Sequence, residues 1–269
     1  MTEFFEWRDA PPGDFAVIGD PVSHSLSPKM HAAAYAQLGL PCVYRAVRVP
    51  KGEVGEALDG LRERGYRGVN VTVPHKQEAL GWCDRMLRSA EEAGGANTLD
   101  LIQKIGLSTD GQGFMIGMGS LVTDRWDRPV LLLGAGGSAR AVAQALSLWG
   151  WQVRLWNRTR SKVEALADDM EGAGLVLDEP DPTDCALVIN ATSSSLAGAA
   201  LPIDWSRAPE DALAVDLMYT DGLTPFLQAA ADCGLPTADG RRMLAGQGAL
   251  AFEFWLGPRP FETMLEAIS

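Results

Sequence analysis

The sequence predicts an α/β fold in two domains, and two observations support this prediction. Apolar strand-like runs alternate with helix-like segments along almost all of the 269 residues, which is typical of α/β proteins. From Pro129 onward the alternation becomes a regular strand–helix–strand pattern, with a glycine-rich turn after its first strand. That pattern is typical of a Rossmann-type domain, so we expect one such domain together with a second α/β domain.

Before Pro129, short apolar strands alternate with helix-like segments. We predict strands at Phe15–Ile18, Val43–Val49 and Gly68–Pro74, helices at Pro28–Gly39, Gly52–Arg64 and His75–Cys83, a turn of helix at Ser89–Ala93, and a strand pair within Asn97–Ser108. Ser27 is the expected N-cap of the first helix, because a serine hydroxyl accepts from free helical N–H groups and Pro28 fits the first turn. Pro74 ends its strand because proline cannot donate to a ladder.

After Pro129 we predict four buried strands and three helices. The strands contain the runs VLLL, QVRLW, ALVIN and ALAVD, and the helices follow the glycine turn, span Ser161–Met170 and lie within PFLQAAADCG. The Rossmann-type domain is expected to span residues 114–238. Residues 1–113 would form the other domain, and residues 239–269 would be C-terminal helices that pack back on it.

Composition and charge exclude several classes of partner. The formal net charge is −12 at pH 7, which argues against nucleic acid or an anionic membrane as the main partner. The four cysteines lie far apart and the three histidines show no metal-ligand spacing, so we expect reduced thiols and no metal site. No segment resembles a signal peptide or a membrane span. We therefore expect a soluble, cytoplasmic protein that acts on a small molecule.

The segment LLLGAGGSARA matches the dinucleotide-binding pattern G-x-G-x-x-A between a strand and a helix. Gly134 allows the tight turn, Gly136 lets the backbone approach a pyrophosphate, and the small Ala139 lets helix and strand pack closely. Free N–H groups at the helix start would bind the phosphates. The alternative is a glycine turn that binds nothing, which the flanking strand and helix disfavour. The predicted phosphate-binding residues are Gly134, Ala135, Gly136, Gly137, Ser138 and Ala139.

The end of the next strand indicates which dinucleotide binds. An NAD enzyme usually has an acid about 20 residues after the glycines, which accepts from the ribose 2′-OH. Here the chain reads NRTRSK, with three cations, two hydroxyls and no acid. These groups suit a 2′-phosphate, to which Arg158 can donate while it stacks on the adenine. A solvated basic turn is the alternative. We predict NADP in preference to NAD, bound by Asn157, Arg158, Thr159 and Lys162.

Polar residues in the first part of the chain gather where strands end. In GVNVTVPHK, alternation puts Asn70 and Thr72 on one face of the strand, and Lys76 follows at its carboxyl end. Ligands of open α/β sheets bind at such ends. Asp110 lies in the glycine-rich turn STDGQG, where an aspartate usually makes only an Asx turn. Taken singly, these residues fit a structural as well as a functional interpretation.

The combination of motifs is more specific than any one of them. The chain contains, in order, GDPVSHSLSPKMH, GVNVTVPHK, AGGANTL, STDGQGF, GAGGSARA, NRT, NATS, DLMY and DGRRMLAGQGALAFEFW. Together these resemble the shikimate dehydrogenase family over essentially the whole chain. The resemblance implies an NADP-linked enzyme that reversibly reduces 3-dehydroshikimate to shikimate in aromatic amino-acid biosynthesis. It also implies a substrate-binding domain completed by the C-terminal helices, and an active site in the cleft between that domain and the Rossmann domain.

The resemblance also implies roles for the matching residues. Ser25 and Ser27, on alternate positions, would bind the substrate carboxylate. Lys76 and Asp110 would be the catalytic pair, because a positioned ammonium can stabilise charge on the reacting oxygen and deliver a proton. The other implied residues are Thr72 and Asn97 on the ring hydroxyls, Tyr219 and Gln247 on the far side of the substrate, Thr192 on the cofactor, and Leu217 and Gly240 near the nicotinamide. His24 and His31 are interpreted as structural, and His75 as a loop residue.

Several positions depart from the family's pattern without removing a catalytic group. Ser108 stands where Asn is usual, Ser195 where Gly is frequent, and Arg241 and Arg242 follow the DG motif next to the expected cleft. These departures bear on rate and substrate breadth rather than on reaction type.

Two rival functions follow from the same residues. One is a quinate/shikimate dehydrogenase with a broader substrate range or NAD use, against which the basic NRTRSK counts. The other is a non-catalytic sensor of shikimate-like ligands, against which the retention of both Lys76 and Asp110 counts. A monomer and a homodimer are both compatible with the sequence.

Overall fold

The computed structural model describes residues 2–122, 127–170, 172–198 and 200–269. Its contacts divide the chain into two compact units. The first unit comprises the chain up to Gly113 together with Leu244–Ser269, and the second unit comprises Phe114–Met243. The stretch 239–243, expected among the C-terminal helices, groups with the second unit, where the Arg242 Nε donates to the Gly117 carbonyl.

The described residues form strands and helices over most of their length. The strands are β1 (Phe4–Glu6), β2 (Phe15–Gly19), β3 (Tyr44–Arg48), β4 (Gly68–Val71), β5 (Arg85–Met86), β6 (Thr98–Asp100), β7 (Ile105–Leu107), β8 (Val130–Leu133), β9 (Val153–Trp156), β10 (Gly174–Val176), β11 (Leu187–Asn190), β12 (Leu213–Asp216) and β13 (Thr237–Ala238). The helices are α1 (Ser27–Leu38), α2 (Val54–Glu63), α3 (Lys76–Trp82), α4 (Arg88–Ala93), α5 (Asp110–Val122), α6 (Gly137–Leu148), α7 (Arg160–Asp169), α8 (Pro225–Asp232), α9 (Arg241–Leu256) and α10 (Phe261–Ile268). Three short 3-10 helices lie at Trp7–Asp9, Ser194–Ala197 and Trp205–Arg207.

The first unit is built on a seven-stranded sheet with the order β1-β3-β2-β4-β6-β7-β5. Strand β2 pairs in parallel with both β3 and β4, whereas β6 is antiparallel to both β4 and β7. This topology places the carboxyl ends of β2, β4 and β7 and the start of β6 at one edge of the sheet. Four chain segments therefore meet at this edge although they lie far apart in sequence.

The second unit is built on a six-stranded parallel sheet with the order β10-β9-β8-β11-β12-β13. This is the Rossmann strand order, in which the direction of winding reverses between the first and fourth strands, here β8 and β11. The crevice at the carboxyl ends of those two strands is the binding position of such sheets. The predicted fold class, α/β with a Rossmann-type unit, is confirmed.

Alternation along β2 distributes its side chains to two hydrophobic clusters. Ala16 and Ile18 belong to a cluster that contains α2, and Phe15 and Val17 belong to one that contains α1, α9 and α10. Because successive strand residues point to opposite faces, one short strand contributes to both layers of the core. The ring of Phe15 stacks on that of Trp255 at 4.7 Å, which anchors α9 on the sheet.

Three local predictions were wrong. Ser27 is not an N-cap, because it is already the first residue of α1 and Leu26, which has a helical conformation, occupies the N-cap position. Asp110 does not lie in a turn but begins α5. A strand, β1, precedes the predicted first strand, because three residues that carry little pattern of their own pair in parallel with β3.

His75 lies in the loop between β4 and α3, as interpreted from the sequence, and has a structural role there. It is fully buried and immediately precedes α3. Its Nε2 lies 2.7 Å from the Val49 carbonyl oxygen, an acceptor, so this nitrogen carries the proton. His75 therefore fixes the start of α3 against the end of β3.

His31 makes the folded state sensitive to acid. Its ring is fully buried, stacks on Tyr44 at 4.1 Å, and has no hydrogen-bond partner for either nitrogen among the described residues. Burial lowers the pKa of His31 from 6.5 to about 3 because the charged form is desolvated. The unfolded chain therefore binds a proton below pH 6.5 that the folded chain does not bind until about pH 3.

We therefore expect protonation of His31 in the unfolded chain to decrease the free energy of unfolding as the pH is lowered from 6.5 to about 3. The ring of the His31→Phe variant cannot titrate. Relative to this variant, the free energy of unfolding of wild type should decrease by about 1.4 kcal/mol for each pH unit below 6.5 within this window, and should not change above it. Urea unfolding of both proteins at a series of pH values measures the difference. Parallel curves for the two proteins would contradict the assignment.

Candidate active site

The polar residues predicted for substrate binding come from the segments that meet at one edge of the first unit's sheet. Ser25 follows β2, Thr72 and Lys76 follow β4, Asn97 precedes β6, and Asp110 follows β7. The antiparallel pairing of Asn70 with Thr98 and of Thr98 with Leu107 brings the last three segments side by side. The sheet order therefore explains why residues spread over 86 positions can form one site.

Lys76 and Asp110 form an ion pair at this edge. The Lys76 Nζ donates to the Asp110 Oδ2 at 2.5 Å, and the other carboxylate oxygen accepts from the Asn97 amide at 2.7 Å. The two side chains are 20% and 7% exposed, so the ammonium is the more accessible group. Each residue begins a helix, α3 for Lys76 and α5 for Asp110. A carboxylate held on both oxygens gives the ammonium a defined direction.

Asn97 is the centre of this cluster. It is 2% exposed, and its amide nitrogen also lies within hydrogen-bond distance of the Thr109 Oγ1 (2.9 Å) and the Gln247 Oε1 (3.3 Å). Its amide oxygen accepts from the Thr109 N–H at 2.8 Å and from the Thr98 hydroxyl at 3.1 Å. These bonds assign the oxygen and nitrogen of the amide, so the nitrogen faces Asp110.

Gln247 reaches the cluster because α5 and α9 cross at very short range. A Cβ on Gly113 would lie 2.4 Å from the Gln247 backbone nitrogen, and a Cβ on Gly246 would lie 2.2 Å from the Gly113 oxygen. Only two glycines permit this approach of backbones. The side-chain amide of Gln247 also donates to the Leu244 carbonyl at 2.9 Å, which holds it in place.

Ser25, Ser27 and Thr72 occupy different surroundings. Ser25 is half-buried in the turn before α1, and its Oγ accepts from the Ser27 N–H at 3.3 Å, so Ser25 satisfies the helix start. Ser27 is 4% exposed and its hydroxyl lies near that of Tyr44. Residues on alternate positions point to the same side only in a strand. Ser25 lies in the turn before α1 and Ser27 in α1 itself, so the turn and the helix set the directions of their side chains. Thr72 lies half-buried just beyond β4.

Two further residues belong to this network: Tyr44, which no sequence motif indicates, and Asn70, to which the motifs assign no role. Burial raises the pKa of Tyr44 well above its ordinary value, a shift that the nearby Ser27 hydroxyl opposes. The Tyr44 hydroxyl donates to the Asn70 Oδ1 at 2.7 Å, and the Asn70 amide donates to the Asn97 carbonyl at 3.2 Å. This chain of bonds links Tyr44 to Asn97, which holds the Lys76–Asp110 pair. Asn70 is a polar residue within a buried strand, and this feature of the sequence could have indicated the network.

The second unit presents the glycine turn at the carboxyl end of β8. Gly134 has φ +119°, and a Cβ there would lie 3.1 Å from the Ala191 carbonyl, so the turn requires glycine. At Gly136 and Gly137 a Cβ would meet nothing within 4 Å, and no side chain caps α6. Open space beside the main-chain N–H groups of a helix start fits a pyrophosphate. Ala135, Ser138 and the buried Ala139 complete this turn.

The basic stretch after β9 contains one cation that forms ion pairs with acidic side chains and two that form none with the described residues. Arg160 forms ion pairs with Glu164 at 2.7 Å and with Asp178. Arg158 and Lys162 are exposed and form no ion pair with the described residues. The Asn157 amide donates to the Thr159 carbonyl at 2.9 Å, which shapes the turn. Two of the three cations are therefore able to meet a 2′-phosphate.

The remaining predicted cofactor residues lie at the ends of β11 and β12. Thr192 donates to the Asn190 Oδ1 at 2.7 Å, and the Leu217 N–H donates to the Asn190 carbonyl at 2.9 Å. A Cβ on Gly240 would lie 2.1 Å from the Leu217 oxygen, so the two segments touch. Tyr219 belongs to this second unit, with the Arg241 guanidinium 5.8 Å from its ring centroid.

Neither a metal-ligand cluster nor a membrane-spanning helix is found among the described residues. They include no group of three or more His, Cys, Asp or Glu side chains that could hold a metal ion. Among them, no helix has both the length and the apolar character that crossing a bilayer requires.

Comparison with known proteins shows where this combination of features occurs. The profile of the shikimate dehydrogenase substrate binding domain matches residues 17–99. A shikimate dehydrogenase (NADP(+)) of Thermus thermophilus is 40% identical over 260 residues, 94% of this chain and 95% of the relative.

Solved structures share the fold of the whole chain. A shikimate 5-dehydrogenase from Thermus thermophilus, in complex with NADP(H) and shikimate, has a TM-score of 0.86 and 38% identity, covering 94% of this chain and 97% of that one. A quinate dehydrogenase from Corynebacterium glutamicum, in complex with NAD, has a TM-score of 0.83 and 28% identity, covering 96% and 99%.

Proposed function

The chain belongs to the shikimate dehydrogenase family, and we infer from this membership that it is an NADP-dependent oxidoreductase that interconverts 3-dehydroshikimate and shikimate. The reaction is a step of the shikimate pathway, which leads to aromatic amino acids. The observation that supports it within the chain is the Lys76–Asp110 pair, held by Asn97 at the sheet edge of a unit that has a substrate-binding profile. A cytoplasmic location and a monomeric or homodimeric state belong to the same proposal.

Lys76 handles the proton in this proposal. Bound NADPH would supply the hydride for the C3 carbonyl carbon of the substrate, and negative charge would then develop on the carbonyl oxygen. The Lys76 ammonium stabilises that charge and donates its proton to the oxygen. Asp110 keeps the ammonium aimed and accepts from a neighbouring substrate hydroxyl. Asn97 and Gln247 orient the pair and bind the ring hydroxyls together with Thr72.

The second unit's residues hold the dinucleotide in this proposal. The glycine turn would bind the pyrophosphate through main-chain N–H groups, and Asn157, Thr159, Arg158 and Lys162 would bind the ribose and its 2′-phosphate. Thr192, Leu217, Tyr219 and Gly240 would line the nicotinamide end.

A spectrophotometric assay tests the proposal directly. The purified protein is given shikimate or quinate, each with NADP⁺ or NAD⁺, and absorbance of the reduced cofactor is followed over a range of substrate concentrations. We expect the highest kcat/KM for shikimate with NADP⁺. Faster turnover of quinate with NAD⁺ would establish the quinate alternative, and no turnover with any pair would overturn the assignment.

Ser25 supplies a test of the substrate carboxylate site. We expect Ser25→Ala to raise KM for shikimate about tenfold, because a hydrogen bond to a charged group is lost, while NADP⁺ affinity stays unchanged. Initial rates over a range of shikimate and isothermal titration with NADP⁺ measure the two quantities. Ser23→Ala is the matched control, since Ser23 lies in the same segment without an assigned ligand. Equal effects of both variants would contradict the role of Ser25.

A further inference from the structure

A buried polar network lies at the carboxyl ends of β11 and β12 in the second unit. Its four side chains are Asn190, Ser195, Asp216 and Thr224, of which three are completely buried and Ser195 is 5% exposed. Asp216 is the last residue of β12 and lies opposite Asn190, the last residue of the parallel neighbour β11. The other two residues come from the loops that follow these strands.

The Asp216 carboxylate accepts hydrogen bonds from two side-chain hydroxyls and one backbone N–H group. Its Oδ2 accepts from the Ser195 hydroxyl at 2.5 Å and from the Thr224 hydroxyl at 2.7 Å. Its Oδ1 accepts from the Met218 backbone N–H at 3.0 Å. The Ser195 oxygen in turn accepts from the Asn190 amide at 3.0 Å. One carboxylate thus connects the loop after β11, the segment after β12 and the start of α8.

The segment that Asp216 holds is the one assigned to the nicotinamide. Besides the bond from Met218 to Asp216, the Met218 carbonyl accepts from the Gly240 N–H at 3.2 Å. On the other side, the Asn190 Oδ1 that accepts from Thr192 belongs to the same amide whose nitrogen reaches Ser195. Leu217, Gly240 and Thr192 are therefore each connected to the network by one or two hydrogen bonds. Asp216 itself is buried.

Resting on the proposed use of NADP, we propose that Asp216 is a positioning residue for the nicotinamide end of the dinucleotide site, with Ser195 as its link to the Thr192 loop. It acts through the backbone of Leu217–Met218 and does not touch the cofactor. The Ser195 hydroxyl is one of two side-chain donors to the carboxylate, the other being that of Thr224. The network sets the orientation of the nicotinamide and leaves the adenosine end to the glycine turn and the basic stretch.

Because the network is proposed to position only the nicotinamide end, Asp216→Asn should affect turnover and NADP⁺ binding but not binding of the adenosine end. The kcat for shikimate oxidation should fall about tenfold, because a small misplacement of the reacting ring slows hydride transfer. The Kd of NADP⁺ should rise several-fold, whereas the Kd of 2′,5′-ADP, which lacks the nicotinamide, should stay unchanged. KM for shikimate should also stay unchanged. Steady-state kinetics and isothermal titration with NADP⁺ and with 2′,5′-ADP measure these quantities.

Asp204→Asn is the matched control. Asp204 accepts from the Ser206 hydroxyl at 2.6 Å and from the Ser206 N–H at 3.2 Å, a similar pattern at an exposed 3-10 helix of the same unit. It should change none of the measured quantities. If Asp216→Asn does not fold, Ser195→Ala removes a single donor and should show the same pattern at smaller amplitude.

Two outcomes would overturn the proposal. One is an equal loss of affinity for NADP⁺ and 2′,5′-ADP, which would show a general structural role. The other is a folded Asp216→Asn variant, or Ser195→Ala in its place, with unchanged kcat and unchanged NADP⁺ affinity. Failure of the proposed function is separate from both, because wild type itself would then neither bind NADP⁺ nor turn over shikimate.

Discussion

Lys76→Ala is expected to lower kcat for shikimate oxidation by at least ~10²-fold with a modest change in KM, as the loss of a general acid–base should. The reason is the geometry of the pair: the ammonium is the more exposed partner, and Asp110 and Asn97 hold its direction. In the direction of reduction no other cation is assigned to protonate the substrate oxygen. Steady-state kinetics in both directions measure the effect.

A second lysine of the first unit provides the control for this variant. Lys104 also has a carboxylate partner, Asp59 at 4.0 Å, and its side chain is 26% exposed, close to the value for Lys76. Lys104→Ala should leave kcat and KM unchanged. An unchanged kcat in Lys76→Ala would show that another group transfers the proton, and thermal unfolding of both variants establishes that each is folded.

The double variant Arg158→Ala/Lys162→Ala is expected to lower kcat/KM for NADP⁺ about 10²-fold while kcat/KM for NAD⁺ stays nearly constant. Each charge-assisted bond to the 2′-phosphate contributes about 1.5–3 kcal/mol, and about 1.4 kcal/mol corresponds to one factor of ten. NAD⁺ lacks that phosphate, so it serves as the internal reference. Initial rates with each cofactor at saturating shikimate measure the ratio.

Arg160 distinguishes this prediction from a general effect of positive charge. Its guanidinium already pairs with Glu164 and Asp178, both on the surface. Arg160→Ala should change the ratio of NADP⁺ to NAD⁺ efficiency by no more than about twofold, because exposed ion pairs are weak. An Arg160 effect as large as that of the double variant would mean that the wrong cations were assigned to the phosphate.

Much of the architecture could be predicted from local sequence because it depends on local signals. The glycine turn between β8 and α6, the strands that end in Asn190 and Asp216, and the proline that follows β4 all have short-range causes. The start of α1 could not be placed to the residue, because the N-cap position is occupied by Leu26, whose side chain cannot make a capping bond. Strand β1 exists only because β3 offers it a partner.

The site divides in the same way. The family resemblance implied roles for Lys76, Asn97 and Asp110, and the antiparallel pairing of β6 with β4 and β7 brings them together. Nothing in the residues around Tyr44 or Ser195 indicates that the Tyr44 hydroxyl contacts Asn70 or that the Ser195 hydroxyl contacts Asp216. The functional roles of all these residues stay predictions until the variants are measured.

The sequence by itself determined the fold class, the family, the cofactor and the types of residue available for catalysis, because each is encoded in contiguous motifs. Only the tertiary structure decided which of those residues meet. Gln247 lies 150 positions from Asn97, and the two come within hydrogen-bond distance only because Gly113 and Gly246 let α5 and α9 cross closely. Such contacts depend on sheet order and backbone approach, which are properties of the packed chain and not of any one segment.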